Sequence, residues 1–149
     1  MLHKFVLVAA LAALVPRMAA AVPQFENADF EDDTVSGNFD TPRAGAGALS
    51  DWTVHGHSVD LIGPYWESAN GDQSLDLSGI SDGSISQTVS GFSSGADYTL
   101  FFDIAGNPDG GDATKSLEVT IDGASEVVQF DFEADDNSKQ DMGWVREEI

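Results

Sequence analysis

Strict alternation of apolar and polar residues in the second half of the chain is the feature that most restricts its fold. Tyr98, Leu100, Phe102 and Ile104 fall on one parity, with Thr99, Phe101, Asp103 and Ala105 on the other. Leu117, Val119 and Ile121 alternate with Glu118, Thr120 and Asp122, and Val128, Phe130 and Phe132 with Gln129, Asp131 and Glu133. A period of two places every second side chain on one face of a strand, so these segments predict antiparallel sheets with one wet face. Shorter strands are expected at Trp52–Val54, Ser58–Ile62, Ser74–Leu77 and Ile85–Val89. Turn residues lie between them at Gly71-Asp72, Ser81-Asp82-Gly83, Gly91 to Gly95, Pro108 to Gly111 and Asp122-Gly123. No segment carries a helical period, and no internal repeat is visible. The Arg43–Ser50 stretch, rich in Ala and Gly, reads as a flexible loop before Trp52. Short strands at regular spacing with turns between them predict an all-β, antiparallel β-sandwich or jelly roll.

The N-terminus reads differently. Lys4 is followed by an apolar run from Phe5 to Val15, and Ala19-Ala20-Ala21 supplies the small residues that a signal peptidase requires. Residues 1–21 are therefore expected to be a signal peptide and residues 22–149 a single domain. A hydrocarbon core of ~30 Å needs about 20 apolar residues, so an eleven-residue run interrupted by Pro16-Arg17 is too short to anchor the chain. No second apolar run follows, so no membrane span is expected in the exported form. The expected location is secreted or on the cell surface.

Charge narrows the partners. The chain holds 26 acidic and six basic residues, a net charge of −20. Residues 1–21 contain two of the cations and no acid, so their removal takes the charge to −22. A phosphate binder needs Lys and Arg gathered on a face, which excludes nucleic acid and anionic lipid. High-salt or generic solubility explains such an excess more simply than divalent-cation binding does. With no cysteine, zinc–thiolate sites, thiol redox chemistry and cysteine nucleophiles are excluded.

Several segments resemble a known family. They are Asn27-Ala-Asp-Phe-Glu31, Asp51-Trp52-Thr-Val, Ser58-Val-Asp-Leu-Ile-Gly63 with Tyr65-Trp66, Gly71-Asp-Gln-Ser-Leu-Asp-Leu77, Gly83-Ser-Ile-Ser-Gln-Thr88 and Tyr98-Thr-Leu. Ala105-Gly-Asn-Pro-Asp-Gly-Gly111, Lys115-Ser-Leu-Glu-Val119 and Asp141-Met-Gly-Trp144 complete the set. Together, from Asn27 to Trp144, they resemble the choice-of-anchor C family. The resemblance implies a galactose-binding-like jelly roll, similar to an uncharacterised domain of plant cell-wall proteins of which some associate with polysaccharides. It also implies an exported or surface protein ending in an anchor. The family's last strands, their closing acidic residue and the anchor have no counterpart here, so relative to the family the sandwich reads as C-terminally truncated.

Candidate sites follow from residue chemistry. Calcium takes six to eight hard oxygen ligands. The resemblance places Glu31 where a structural calcium is held, although the acid that usually closes that site belongs to the missing strands. Asn107 to Glu118 echoes an EF-hand loop, but Asp112 stands where a sharp turn calls for Gly and Lys115 puts a cation inside. His55 and His57 share a strand parity that can chelate a transition metal, yet Asp60 has the other parity, and a solvated strand edge is the simpler reading. For carbohydrate, an exposed ring stacks on a sugar face while acids and amides take its hydroxyls. Trp52 and Trp144 are expected in the core, whereas Tyr65 and Trp66 follow Gly63-Pro64 on a loop and are expected to be partly exposed. Asn107 and Asp109 would be their polar partners if the loops converge. No nucleophile elbow or His-Glu-x-x-His motif is present and nothing singles out a pair of acids, so no enzyme is expected. The leading expectation is a carbohydrate-binding-like or adhesive module whose partner is a cell-wall or extracellular polysaccharide. The alternative is a structural or protein-interaction domain with no glycan site.

Overall fold

The computed structural model describes residues 4–6, 22–134 and 136–149. Most of the expected signal peptide, with its boundary after Ala21, lies outside the described residues. Among the described residues eleven strands run in chain order: β1 (Lys4–Val6), β2 (Phe39–Asp40), β3 (Arg43–Leu49), β4 (Trp52–Ser58), β5 (Asp60–Ile62), β6 (Ser74–Asp76), β7 (Gly83–Ser86), β8 (Phe101–Ala105), β9 (Thr114–Ile121), β10 (Ala124–Asp131) and β11 (Val145–Glu148). There is no helix among the described residues. A six-stranded sheet has the order β11-β8-β1-β6-β5-β2, a three-stranded sheet the order β3-β4-β7, and β9-β10 form a hairpin. Every pairing is antiparallel. The fold is thus the all-β antiparallel sandwich that the alternation predicts.

The core lies where inward parities meet. Leu49, Trp52 and Val54 from the three-stranded sheet join Leu61, Ile62, Leu75, Phe102 and Ile104 from the six-stranded one. Removing each such side chain from water contributes about 1.5–3 kcal/mol, which makes this layer the main cohesive element. Burial fades along β9-β10. Leu117 and Phe130 are in the core, while Ile121 beside the tip is 47% exposed and Val127, on the opposite face of the hairpin, is 60% exposed. Phe102 and Ile104 are buried as the parity from Tyr98 expects, but Asp103 and Ala105 of the other parity are buried too, so β8 has no wet face beyond Phe101.

Two segments differ from expectation. Arg43–Leu49, read as a flexible loop, is β3 and pairs with β4 across two register shifts. Its Ala-Gly alternation offers no apolar face to detect, and only Leu49 is buried. The exposed main chain of β4 supplies the hydrogen bonds, and Gly45 (φ 143°) and Gly47 (φ 76°) accommodate the shifts. Lys4–Val6, expected only as part of a leader, forms a strand between β6 and β8. At the C-terminus, Val145–Glu148 forms a strand along the outer edge of β8. Arg146, Glu147 and Glu148 give that edge the charge that discourages unwanted pairing.

Candidate functional site

Three loops that leave strands of the six-stranded sheet, or lead into one, meet one another. The first leaves β5 through Gly63-Pro64 and carries Tyr65 and Trp66. Here the expected exposed aromatic pair divides. Trp66 is 5% exposed and its indole N–H donates to Ser74 Oγ at 3.1 Å, so it plugs the core beside β6. This corrects the expectation for Trp66. A hydroxyl eight residues away gives the indole a buried partner, and burying the large ring outweighs its loop position. Tyr65 stays half-buried at the surface, with its ring centroid 5.5 Å from that of Trp66 and 5.6 Å from that of Phe39.

The second loop, after β8, brings Asn107 and Asp109. Asn107 Nδ2 donates to Asp76 Oδ2 at 2.7 Å, and Asn107 Oδ1 accepts from the Asp109 N–H at 2.7 Å. Asn107 therefore ties its loop to β6 and sets the direction of Asp109. The third loop contributes a residue that sequence reasoning missed. Ser138 and Asp141 exchange backbone hydrogen bonds of 2.7 and 3.2 Å, and the tight turn between them projects Lys139. Lys139 Nζ lies 2.8 Å from Asp109 Oδ1 and 3.8 Å from the Tyr65 ring centroid. The Glu67 N–H donates to Lys139 O at 2.8 Å, and the Trp144 indole donates to Glu67 O at 3.1 Å, so this turn is docked on the Tyr65 loop. Scarcity was the available signal: only four cations follow residue 21.

Electrostatics agree with this geometry. Partial burial pushes Asp109 upward, but hydrogen bonds from Lys139 and then Tyr65 outweigh it and hold the carboxyl below its ordinary range. The hydrogen bond to Asp109, followed by that to Tyr65, holds Lys139 above the ordinary lysine value. The rim thus presents a fixed carboxylate, an ammonium and a phenol side by side, with the amide of Asn107 behind them. Such a set can hydrogen-bond polyol hydroxyls, and the Tyr65 ring can pack on a sugar face to the extent that Lys139 yields its place over it.

Glu31 sits in a different setting. Its Oε1 accepts the N–H groups of both Asp72 and Gln73 at 2.7 Å, and Gln73 Nε2 lies 3.3 Å from its Oε2. The same amide donates to Phe30 O at 2.8 Å and Asp33 O at 2.9 Å. Three hard oxygens therefore surround the point held by the Gln73 amide, while Gln73 Oε1 is buried without a partner. A calcium ion bound here would draw on these oxygens, but the protein uses its own amide at their centre. No group of three or more acidic or histidine side chains fit for a metal occurs among the described residues. Gly71, at φ 66°, is required in this turn because a Cβ there would collide with the Glu31 carboxylate. The preceding residues lock the segment: Asn27 Nδ2 donates to Ser50 O, and Asn27 Oδ1 accepts from the Asp32 N–H.

The remaining candidates disperse. His55 and His57 are both exposed, and Gly56 between them, at φ 73°, interrupts the strand geometry on which a shared face depends. Each ring bonds a different serine, Ser86 for His55 and Ser58 for His57. In the EF-hand-like stretch, Lys115 is buried and donates to Gly110 O at 2.7 Å, so the loop is filled by its own cation. Trp52 is buried as expected, whereas Trp144 is half-buried. Asp60, raised by burial against a weaker opposing hydrogen bond from Thr41, lies directly across the β5–β6 ladder from Asp76.

No helix among the described residues is long and apolar enough to cross a membrane. No family model matches the chain, and no solved structure matches it. Over 85 residues, or 56% of this chain, it is 38% identical to Halomucin of Haloquadratum walsbyi (strain DSM 16790 / HBSQ001), and the matched stretch is 1% of that protein. This chain is therefore similar to one small segment of a far longer polypeptide.

Proposed function

We propose that this chain is an exported, non-catalytic module that binds extracellular polysaccharide at the rim built by Tyr65, Asn107, Asp109 and Lys139. The carrying observation is the convergence of three loops on that rim, which joins a half-exposed aromatic ring to a carboxylate, an ammonium and an amide. Export is supported by the signal-peptide pattern of residues 1–21 and by similarity to a protein named as a mucin. The strongly acidic composition suits a salty medium, where screening relieves self-repulsion. The resemblance to the choice-of-anchor C family points the same way.

Burial of Trp66 favours the second reading, a structural or protein-interaction domain, because it removes half of the aromatic platform. A panel of polysaccharides applied to the exported protein separates the two. Binding lost in Tyr65→Ala supports the module. Silence across the panel from a folded sample supports the structural role. Running the panel with calcium and again with chelator tests whether the oxygens around Gln73 hold an ion, which would appear as a calcium-dependent rise in melting temperature.

A further inference from the structure

We propose that the outer edge of β3 pairs with the same edge of a second copy of this chain, joining two domains through their acid-free sheets. The pairing is independent of polysaccharide binding. Acids are unevenly spread over the fold. After residue 22, every strand outside the β3-β4-β7 sheet contains at least one Asp or Glu, whereas that sheet contains none. It carries Arg43, His55 and His57 instead. In a chain of net charge −20, it is there that a second copy meets strands free of like charge.

The edge is open as well as free of acids. β3 is outermost in its sheet and seven residues long, against four for β7 at the other edge. Arg43 to Ala48 are exposed on both parities, and a Cβ added at Gly45 or Gly47 would meet nothing within 4 Å. An uncovered edge takes up a strand through its main-chain N–H and C=O groups. The sequence of β3 says which strand fits. Residues 44–48 read Ala-Gly-Ala-Gly-Ala in either direction. Antiparallel pairing about a two-fold axis at Ala46 therefore sets Ala against Ala and Gly against Gly. The same axis places Arg43 opposite Leu49 of the second copy. The exposed Asp51 of that copy lies two residues beyond, a diagonal neighbour within reach of the long Arg side chain. Symmetry makes this contact twice, and neither Arg43 nor Asp51 has an ion pair among the described residues. Register shifts on either side of Gly45 and Ala46 keep the shared ladder short. The dimer is therefore weak, and it forms where salt screens the net charge.

Sedimentation velocity of the exported protein at high concentration tests this. The dimer fraction should rise between about 0.15 M and 1 M salt, as the Debye length falls from about 8 Å to 3 Å. Ala46→Glu sets two carboxylates against each other at the axis and should weaken association at least about tenfold. Val127→Glu adds the same charge at an exposed position of β10 and should leave association nearly unchanged. Asp51→Asn separates specific pairing from general repulsion, and Asn tolerates the φ of 63° at that position. It lowers the net negative charge, so a contact governed by repulsion alone would tighten. Loss of two exposed ion pairs should instead loosen the dimer about threefold. Circular dichroism checks that each variant is folded, and where Ala46→Glu is not, Ala44→Glu replaces it. A protein that stays monomeric at every salt concentration overturns the proposal and leaves the edge to a foreign strand or to none. A dimer that Ala46→Glu leaves intact, that Asp51→Asn tightens, or that Val127→Glu weakens as much, overturns this edge as its seat.

Discussion

The clasp around the start of β6 and the rim above it use the same kinds of residue to opposite ends. In the clasp, Glu31 receives two backbone amides and faces the Gln73 side chain, while Trp66 is buried against Ser74. On the rim, Asp109 meets a lysine and Tyr65 lies half-exposed beneath that same lysine. Backbone amides cannot leave an acid without unfolding the turn. A lysine side chain can swing away at little cost. The contrast shows that the abundant carboxylates of this chain are not equivalent: acids saturated by the main chain hold the fold, and those paired to a long side chain can trade partners.

Trp66→Ala gives the most severe test. It removes a large buried side chain and leaves the Ser74 hydroxyl without its donor, so stability should fall by about 3–5 kcal/mol in chemical denaturation. A loss below about 1 kcal/mol would place Trp66 with the rim instead. Glu31→Ala should cost about 2–4 kcal/mol, because the buried Gln73 N–H loses its acceptor. Glu31→Gln, which keeps one oxygen for the two amides, should recover part of that in the same assay.

Rim substitutions should reverse the pattern. Tyr65→Ala is expected to abolish polysaccharide binding in affinity electrophoresis while the folded spectrum persists. Lys139→Met breaks the ion pair and should change stability by no more than about 1 kcal/mol, the ordinary value of an exposed pair. A larger loss in thermal melts would make the rim part of the fold.

The smallest effect concerns pH. Asp109 has a lowered pKa, so its contribution is whole above the unfolded value of about 3.9 and is lost as pH falls through the folded value. Lys139 is raised, so its contribution is whole below about 10.4 and is lost as pH rises through its folded value. Binding should therefore be flat from about pH 5 to pH 9 and weaken on acidification. A titration centred near neutrality would assign the rim to other groups.

Much of the sandwich was legible because alternation is a local signal. Phe102 and Ile104 had to share a face, as did Leu117 and Val119, whatever packed against them. β3 was not legible, since Ala and Gly carry no pattern and its pairing depends on the exposed edge of β4. The site was legible by residue type in Tyr65, Asn107 and Asp109, but their partner was not, because Lys139 lies 30 positions beyond Asp109 and meets it only when two loops dock.

The sequence by itself determined the parity of the strands, the places of the turns and the excess of negative charge, since each follows from neighbouring residues. Only the tertiary structure decided that Trp66 turns inward while Tyr65 stays out, that Glu31 is spent on backbone amides, and that a lysine closes the rim. Those outcomes rest on contacts between distant segments, where a hydroxyl, an amide or an ammonium becomes a partner only once the chain has folded around it.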